Sequence, residues 1–306
     1  MNSMEISNYL EKIRYGRKIS QESFVDGVCS LRQYQRYRSG ECEITYEKID
    51  HFARKLGIPT KKLMNEFERE MQNQSEMLDR LYNAVVNKDI TQVNELKSSL
   101  DKETIFDEER KMYHKHALIM NDLYSGKLSK EEAISKTQGL VNYPTILKQN
   151  YFTDVEILIL SFLMSIVGKD EQTKLLKKLT QLYDNKESIM SGGGNHATFL
   201  ILMRLAQISG IHKDYPKVIR FCDLGIQRGI LFKQYYLMDY FFYYKALAHF
   251  KLEEFAAHEE ALFRCYNVLH MEGNKKKIDK FTSLIESDFK IVYDMFILRY
   301  LKKSIV

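Results

Sequence analysis

The sequence predicts an all-α protein, on three observations. Only 14 glycines and 3 prolines punctuate 306 residues, too few for the many turns of a sandwich or barrel. Apolar residues recur at three- and four-residue spacing along most of the chain. Ser or Thr precedes several of these periodic segments and Gly follows them, as helix caps do.

Ile6, Leu10 and Ile13 form one stripe of a first helix that ends near Tyr15-Gly16, where glycine permits a left-handed stop. Ser20 caps a second helix, Gln21 to about Asp26, with Phe24 inward and Gly27 at its end. Ser30 opens a third, Leu31 to Arg38, which Ser39-Gly40 closes. The fourth, Thr45 to Leu56, carries Ile49, Phe52 and Ala53 at helical spacing and stops at Gly57. A fifth starts at Thr60 after Pro59 and continues to Val86 as a connecting helix, with Leu63, Met64, Phe67, Met71, Leu78, Leu81 and Val85 in register. That face is compatible with packing on its own domain or on a second copy.

Beyond about Glu103 the pattern becomes helix pairs with short polar turns. Gly126, Gly168 and Gly210 stand 42 residues apart, and the next equivalent place is Leu252. The clearest copies are Ala197 to Ile230 and Tyr236 to His270, each with small residues in its first helix (Ala206; Ala246, Ala248), a charged turn and an aromatic, Tyr215 or Phe255. Weaker copies span about 113 to 141 and 155 to 184. The pattern resembles the tetratricopeptide (TPR) repeat with a longer period, and a generic helical bundle is the alternative. Residues Ile278 to Leu301 would cap the array.

The formal net charge is +5, and its location says more than its size. From Lys12 to Arg38 there are seven basic residues (Lys12, Arg14, Arg17, Lys18, Arg32, Arg36, Arg38) against Glu22 and Asp26. The rest of the chain is therefore neutral, and the basic character belongs to the short helices near the N-terminus. A second and a third helix joined by a tight turn, flanked by three others, make a helix-turn-helix domain.

The string ISQESFVDGVCSLRQYQRYRSGECEITYEKIDHFARKLGIPTKKL resembles the lambda-repressor/Cro-like (XRE) family without a gap, through Ser20-Gln21, Arg36, Ser39-Gly40 and Leu56-Gly57-Ile58. The resemblance implies that the third helix enters the major groove of double-stranded DNA. Leu31, Arg32, Gln33 and Gln35 are then the candidates for base edges, since Arg suits guanine and Gln suits adenine by bidentate geometry. Gln21 and Ser30, at helix N-termini, are placed for phosphates, and Arg17, Lys18 and Arg36 add charge. Tyr34 and Tyr37 read as packing residues. Many members carry an acidic residue where this chain has Arg38, so an internal ion pair is expected to be missing and Arg38 to turn toward the DNA backbone.

Aligning Ala206 and Ala246 with the small position of the TPR first helix predicts a concave groove. It would be lined by Leu200, Met203 and Gln207 from one copy and Tyr240, Tyr243 and Leu247 from the next, with His116, Met120, Leu158 and Phe162 from earlier copies. Such an apolar, aromatic surface suits an extended peptide. Taken singly, each of these residues reads first as ordinary core, and only the set points to a groove.

Several function classes find no support. There is no HExxH, GxSxG or GxxxxGK[ST] pattern, His114 and His116 lie on different helix faces, and no catalytic or metal constellation emerges. No cofactor is expected. The Gly192-Gly193-Gly194-Asn195 tract reads as a loop and Lys275-Lys276-Lys277 as a solvated turn. Cys29, Cys42, Cys222 and Cys265 are dispersed and read as reduced thiols, Cys29 as a small core residue. The longest apolar run, Glu156 to Gly168, falls short of the roughly 20 residues of a membrane span, so a cytoplasmic protein without membrane contact is expected.

In layout, an XRE-type domain (1–65), a linker helix region (66–100) and a TPR-like array (101–306) resemble the RRNPP group of peptide-sensing regulators (Rgg, NprR, PlcR and PrgX types), PlcR-like members most. The resemblance implies a homodimeric bacterial transcription factor whose groove binds a short signalling peptide in quorum sensing and so alters operator binding. Asn121 and Asn195 are the nearest counterparts of asparagines that hold peptide backbone in that group. The competing readings are a helix-turn-helix repressor whose repeat domain is a protein scaffold or small-molecule sensor, and a phage-type repressor with constitutive DNA binding.

Overall fold

A computed structural model describes residues 3–101, 105, 107–184, 189–190 and 195–305. The contacts within the chain divide it into two compact units, Met1–Ser129 and Lys130–Val306.

The first unit is helical throughout. It comprises α1 (Ser3–Gly16), α2 (Gln21–Val25), α3 (Leu31–Ser39), α4 (Tyr46–Lys55), α5 (Thr60–Val86), α6 (Ile90–Leu100) and α7 (Glu108–Tyr124). The hydroxyls of Ser20, Ser30 and Thr45 accept the backbone N–H groups of Ser23, Gln33 and Lys48, so the three expected caps form. Gly40 closes α3 in the left-handed conformation at φ 79°. The first helix ends at Gly16 as expected, but the left-handed residue of the turn is Lys18, at φ 57°, and not the glycine. The buried Arg14 guanidinium donates to the carbonyl of Ile19 and fixes the chain just beyond that turn.

Ile6, Leu10, Phe24, Tyr34, Tyr37, Ile49 and Phe52 fill one core, closed by Leu63 and Phe67 from the start of α5. Phe24 stacks on Phe52 with ring centroids 4.7 Å apart, and Tyr34 meets both rings obliquely. The far half of α5 buries Leu78, Leu81, Tyr82 and Val85 and packs on α6 and α7. Tyr82 stacks on Tyr113 at 4.9 Å, and Tyr113 donates to Asp79 at 3.0 Å. One uninterrupted helix thus belongs to both cores. Helix α6 was not anticipated, although Asp89 caps it and Val93, Leu96 and Leu100 supply its buried stripe.

The second unit contains α8 (Lys130–Leu140), a 3-10 turn (Thr145–Lys148), β1 (Phe152–Thr153), α9 (Asp154–Ile166), α10 (Lys169–Asp184) and β2 (Ile189–Met190). These are followed by α11 (Asn195–Ile211), α12 (Tyr215–Phe232), α13 (Met238–Lys251), α14 (Phe255–Glu272), α15 (Lys275–Phe289) and α16 (Tyr293–Ile305). The two short strands pair in parallel, Phe152 with Ile189 and Thr153 with Met190, a small departure from a purely helical array. The apolar run read as too short for a membrane is α9, buried on nearly every side from Ile157 to Met164 and begun by a Thr153–Glu156 capping box. Among the described residues no helix is long and apolar enough to cross a membrane.

Helices α11 to α14 pack each on the next in sequence. Tyr215 and Phe255 begin α12 and α14, as the repeat pattern requires. The 42-residue spacing marks where successive first helices finish: Gly126 and Gly168 lie in turns, Gly210 is the penultimate residue of α11, and Leu252 caps α13. Among the described glycines the tightest is Gly225 of α12, where a Cβ would stand 2.4 to 2.7 Å from the Phe241 ring of α13.

The lysine tract is more than a solvated turn. It opens α15, and Lys277, with 18% of its side chain exposed, pairs with Glu272 at 2.7 Å and with the fully buried Asp239 at 3.1 Å. Burial raises the Asp239 carboxyl, and the Lys277 charge opposes that rise. The tract Gly192–Gly194, residue Glu103 and the Asn195 side chain lie outside the described residues.

Candidate functional site

Helix α3 has two chemically distinct faces. Tyr34 and Tyr37, three residues apart, are buried at 0% and 1% exposure and seat the helix on its core. Arg32, Gln35 and Arg36, at i, i+3 and i+4, form an exposed row, with Gln33 half-exposed beside it. Leu31 differs from its predicted place at a base edge, since it packs partly against the core. The Ser30 hydroxyl accepts Gln33 N–H at 3.1 Å and keeps its own proton for donation.

The other basic candidates are more constrained than their charge suggests. Arg17 donates from Nη1 to the carbonyl of Leu56, fixing it to the end of α4. Lys18 is exposed on the α1–α2 turn. Arg36 pairs with Glu41 at 3.3 Å while staying half exposed.

Glu11, which the sequence reading passed over, organises this end of the molecule. Its carboxylate receives Arg14 Nε at 2.7 Å and Nη2 at 2.8 Å, the Gln21 amide at 2.6 Å and the Tyr34 hydroxyl at 3.1 Å, with Arg38 Nη1 at 3.4 Å. Burial alone would raise this carboxyl, but hydrogen bonds from Arg14 and Gln21 and the charges of Arg38 and Arg14 outweigh it and hold it at about 2. Gln21, expected at a phosphate, therefore directs its amide inward. Arg38 also corrects expectation: its Nε donates to Asn8 Oδ1 at 3.1 Å, and Asn8 returns a bond to the Arg38 carbonyl at 2.9 Å. The internal ion pair is present with the polarity reversed and the acid supplied by α1. Only a long-range contact could have shown this, since residues 11 and 38 share no sequence periodicity. Cys29 is half-buried against the same core.

One more set of contacts ties α7 into this unit. Arg110 lies 3.7 Å from Glu5 of α1, and its Nε donates to Ser75 of α5 at 3.1 Å. Both Glu5 and Arg110 are largely covered, and Glu5 is raised by burial against the opposing pull of Arg110.

The predicted groove residues fall into two groups. His116, Met120, Leu158, Phe162, Leu200 and Tyr243 are buried in the cores, at 7% exposure or less, and offer no accessible surface. Phe162 lies beneath the guanidinium of Arg204, at 5.4 Å, and that buried arginine also donates to the carbonyl of Leu158 at 3.1 Å and to Ser161 at 3.0 Å. Tyr243 donates to Asp288. Helical spacing identifies a face but not whether the next helix or solvent covers it, which is why these six were misplaced. Met203, Tyr240 and Leu247 are half-buried, and Gln207 is exposed. Gln207 and Leu247 line one cavity of about 320 Å³ between α11, α12 and α13. Asn121 is half-buried and donates to neighbouring Asp122 at 3.3 Å. Among the described residues no group of three or more His, Cys, Asp or Glu is placed to hold a metal ion.

An exposed cationic row on a short capped helix, in a five-helix module joined by one rod to further helices, defines a helix-turn-helix protein with a helical second part. No protein-family profile matches the chain, and no curated protein does. Solved structures do. Bacillus thuringiensis PlcR in complex with the peptide PapR7 and DNA shares 17% identity over 90% of this chain and 98% of that one, with a TM-score of 0.54. PlcR in its apo form superposes with a TM-score of 0.55 at 13% identity, over 90% of this chain and 98% of its own. ComR from S. thermophilus, in complex with DNA and its signalling peptide ComS, gives 0.52 at 16% identity, covering 93% and 97% of the two chains. The chain shares the fold of PlcR and ComR.

Proposed function

We infer that the protein is a transcriptional regulator that reads an operator through α3 and is controlled by a short signalling peptide bound in its C-terminal helical part. The observation that carries this reading is the Arg32–Gln35–Arg36 row, exposed on a capped helix whose opposite face is locked by Tyr34 and Tyr37. Arg32 and Gln35 have the donor geometry for guanine and adenine edges, with Gln33 beside them. Ser30 and Lys18 serve as phosphate partners in this reading, with Arg17 and Arg36 adding positive charge. The sharing of the whole fold with proteins crystallised on a peptide and DNA supports the peptide half of the reading.

In this proposal residues 1–65 read DNA, 66–100 connect, and 101–306 form a TPR-like array that binds the peptide and joins two copies. The homodimer would place two α3 helices on successive half-sites, about 34 to 36 Å apart. Peptide shifts operator affinity only as far as it binds one arrangement more tightly than the other.

The test begins with selection of an operator from random duplexes, followed by titration at several salt concentrations. Arg32→Ala weakens the selected site by about 1 to 3 kcal/mol and relaxes preference at one base pair. Lys18→Ala weakens specific and non-specific duplexes alike and lowers the salt slope by about one. An unchanged ratio of specific to non-specific binding in Arg32→Ala removes α3 as the reading helix.

A further inference from the structure

The cavity between α11, α12 and α13 has a composition that narrows its occupant. Its floor is made by Ala206 and Gly210 of α11, Val218 of α12 and Ala248 of α13, small or branched residues that leave space between the first helices of adjacent pairs. At about 320 Å³ it sits at the lower end of ligand pockets, room for one or two side chains and not for a whole peptide. Besides the tyrosines Tyr215 and Tyr244, two polar side chains line it. Gln207 is exposed and makes no hydrogen bond of its own among the described residues, so its amide is free to donate and accept. Lys251 is the only charged residue in the lining, and among the described residues its ammonium has no acidic partner, lying 5.9 Å from the Phe250 ring centroid.

The ends of α11 and α13 would by themselves repel an anion. Here their last carbonyls are already used: Gly210 and Ser209 accept from Lys213 and Asp214, each at 2.9 Å, and Ala248 and His249 accept from Leu252 and Glu254 at 3.0 and 2.9 Å. Of the two acids on the α13–α14 turn, Glu254 is engaged by His249, and Glu253, although exposed beside it, forms no ion pair with Lys251 among the described residues. Lys251 is left as the charge that decides what sits at the rim.

We propose that this cavity takes the C-terminal residue of the signalling peptide, an apolar side chain filling the space over Ala206, Gly210 and Ala248 while Lys251 pairs with the free carboxylate and Gln207 holds the last peptide amide. The proposal rests on the peptide-sensing reading above and specifies which end of the peptide is recognised and what it carries. An amino terminus at the same place would bring a second cation against Lys251.

The test uses the full-length protein and heptapeptide pools labelled with fluorescein at the N-terminus, with the last residue fixed as Leu, Phe, Asp or Lys, each made as free acid and as C-terminal amide. Fluorescence anisotropy should show tightest binding by the free acids ending in Leu or Phe, weakened about tenfold or more by amidation. Lys251→Gln should bring free acids down to the level of the amides and leave the amides unchanged. Gly210→Leu should erase the Leu and Phe preference; its first added carbon meets only Val218 Cγ2, at the ordinary contact distance of 3.7 Å. Circular dichroism and the melting temperature monitor the fold of that variant, and Lys251→Gln, at an exposed position, keeps the test decisive if it melts early. Octanoate, a carboxylate with an apolar tail, serves as competitor. If octanoate binds in a Lys251-dependent way and no peptide does, the cavity belongs to a free acid and the proposal falls with the peptide-sensing reading. Peptides that bind wild type, Lys251→Gln and Gly210→Leu alike overturn this site and leave peptide sensing standing.

Discussion

Glu11→Gln lowers the stability of the N-terminal unit by about 2 to 3 kcal/mol at neutral pH. Glutamine has nearly the same shape, so the loss measures charge. Arg14, 9% exposed, would keep its place beside a neutral amide, and Arg38 would lose the one acid it pairs with among the described residues. The wild-type carboxyl ionises at about 2 in the fold against an ordinary value of 4.5. A depressed folded value stabilises when the group is ionised in both states, so the contribution is complete above about pH 5 and is lost as pH falls toward 2. Urea unfolding followed by circular dichroism should show wild type losing stability through that window and the variant changing less. Parallel acid profiles for the two proteins would mean that Glu11 is not the group responsible.

Gly225→Val destabilises the second unit by about 2 to 3 kcal/mol. The new Cβ would overlap a ring that is itself 0% exposed, so neither a rotamer change nor a small slide of α12 relieves it. The remedy is specific: Phe241→Leu withdraws the ring and should recover part of the loss in the double variant, although alone it costs stability by leaving a void. A thermodynamic cycle over the four proteins should give a favourable coupling of about 1 kcal/mol or more. Strict additivity would place the damage elsewhere, in the helix backbone instead of the contact.

Helices whose ends are written in local chemistry were legible from the sequence. Ser20, Ser30 and Thr45 mark starts that the structure reproduces within a residue, because a cap is satisfied by a backbone group three positions away, and Pro59 marks a fourth through its fixed backbone angle. The inward tyrosines of α3 were legible for the same reason. What failed was whatever depends on a partner distant in sequence. Glu11 gathers Gln21, Tyr34 and Arg38 from two other helices, and that convergence inverted the expected role of Arg38 and drew Gln21 inward. Lys277 was read as solvated because its counter-ion, Asp239, lies 38 residues back. In the array, periodicity found the correct helices but six of the ten groove residues point into neighbouring helices, while Gln207 and Leu247 meet at an open cavity. The signal that would have separated them is the small residue on both helices at one level, Gly210 and Ala248, which leaves room that larger side chains would fill.

Helix α5 has a consequence in angular terms. Its 27 residues form an unbroken rod of about 40 Å, with Phe67 set in one core and Tyr82 in the other. A rod of that length converts a tilt of about 5° at one end into about 3.5 Å at the other, close to the rise of a single base pair. No helix needs to melt and no hinge needs to open for such a module to slip by one step along a duplex. The orientation of one helix, braced by Arg110 and the aromatic stack at Tyr82, would then set the half-site spacing of the proposed dimer.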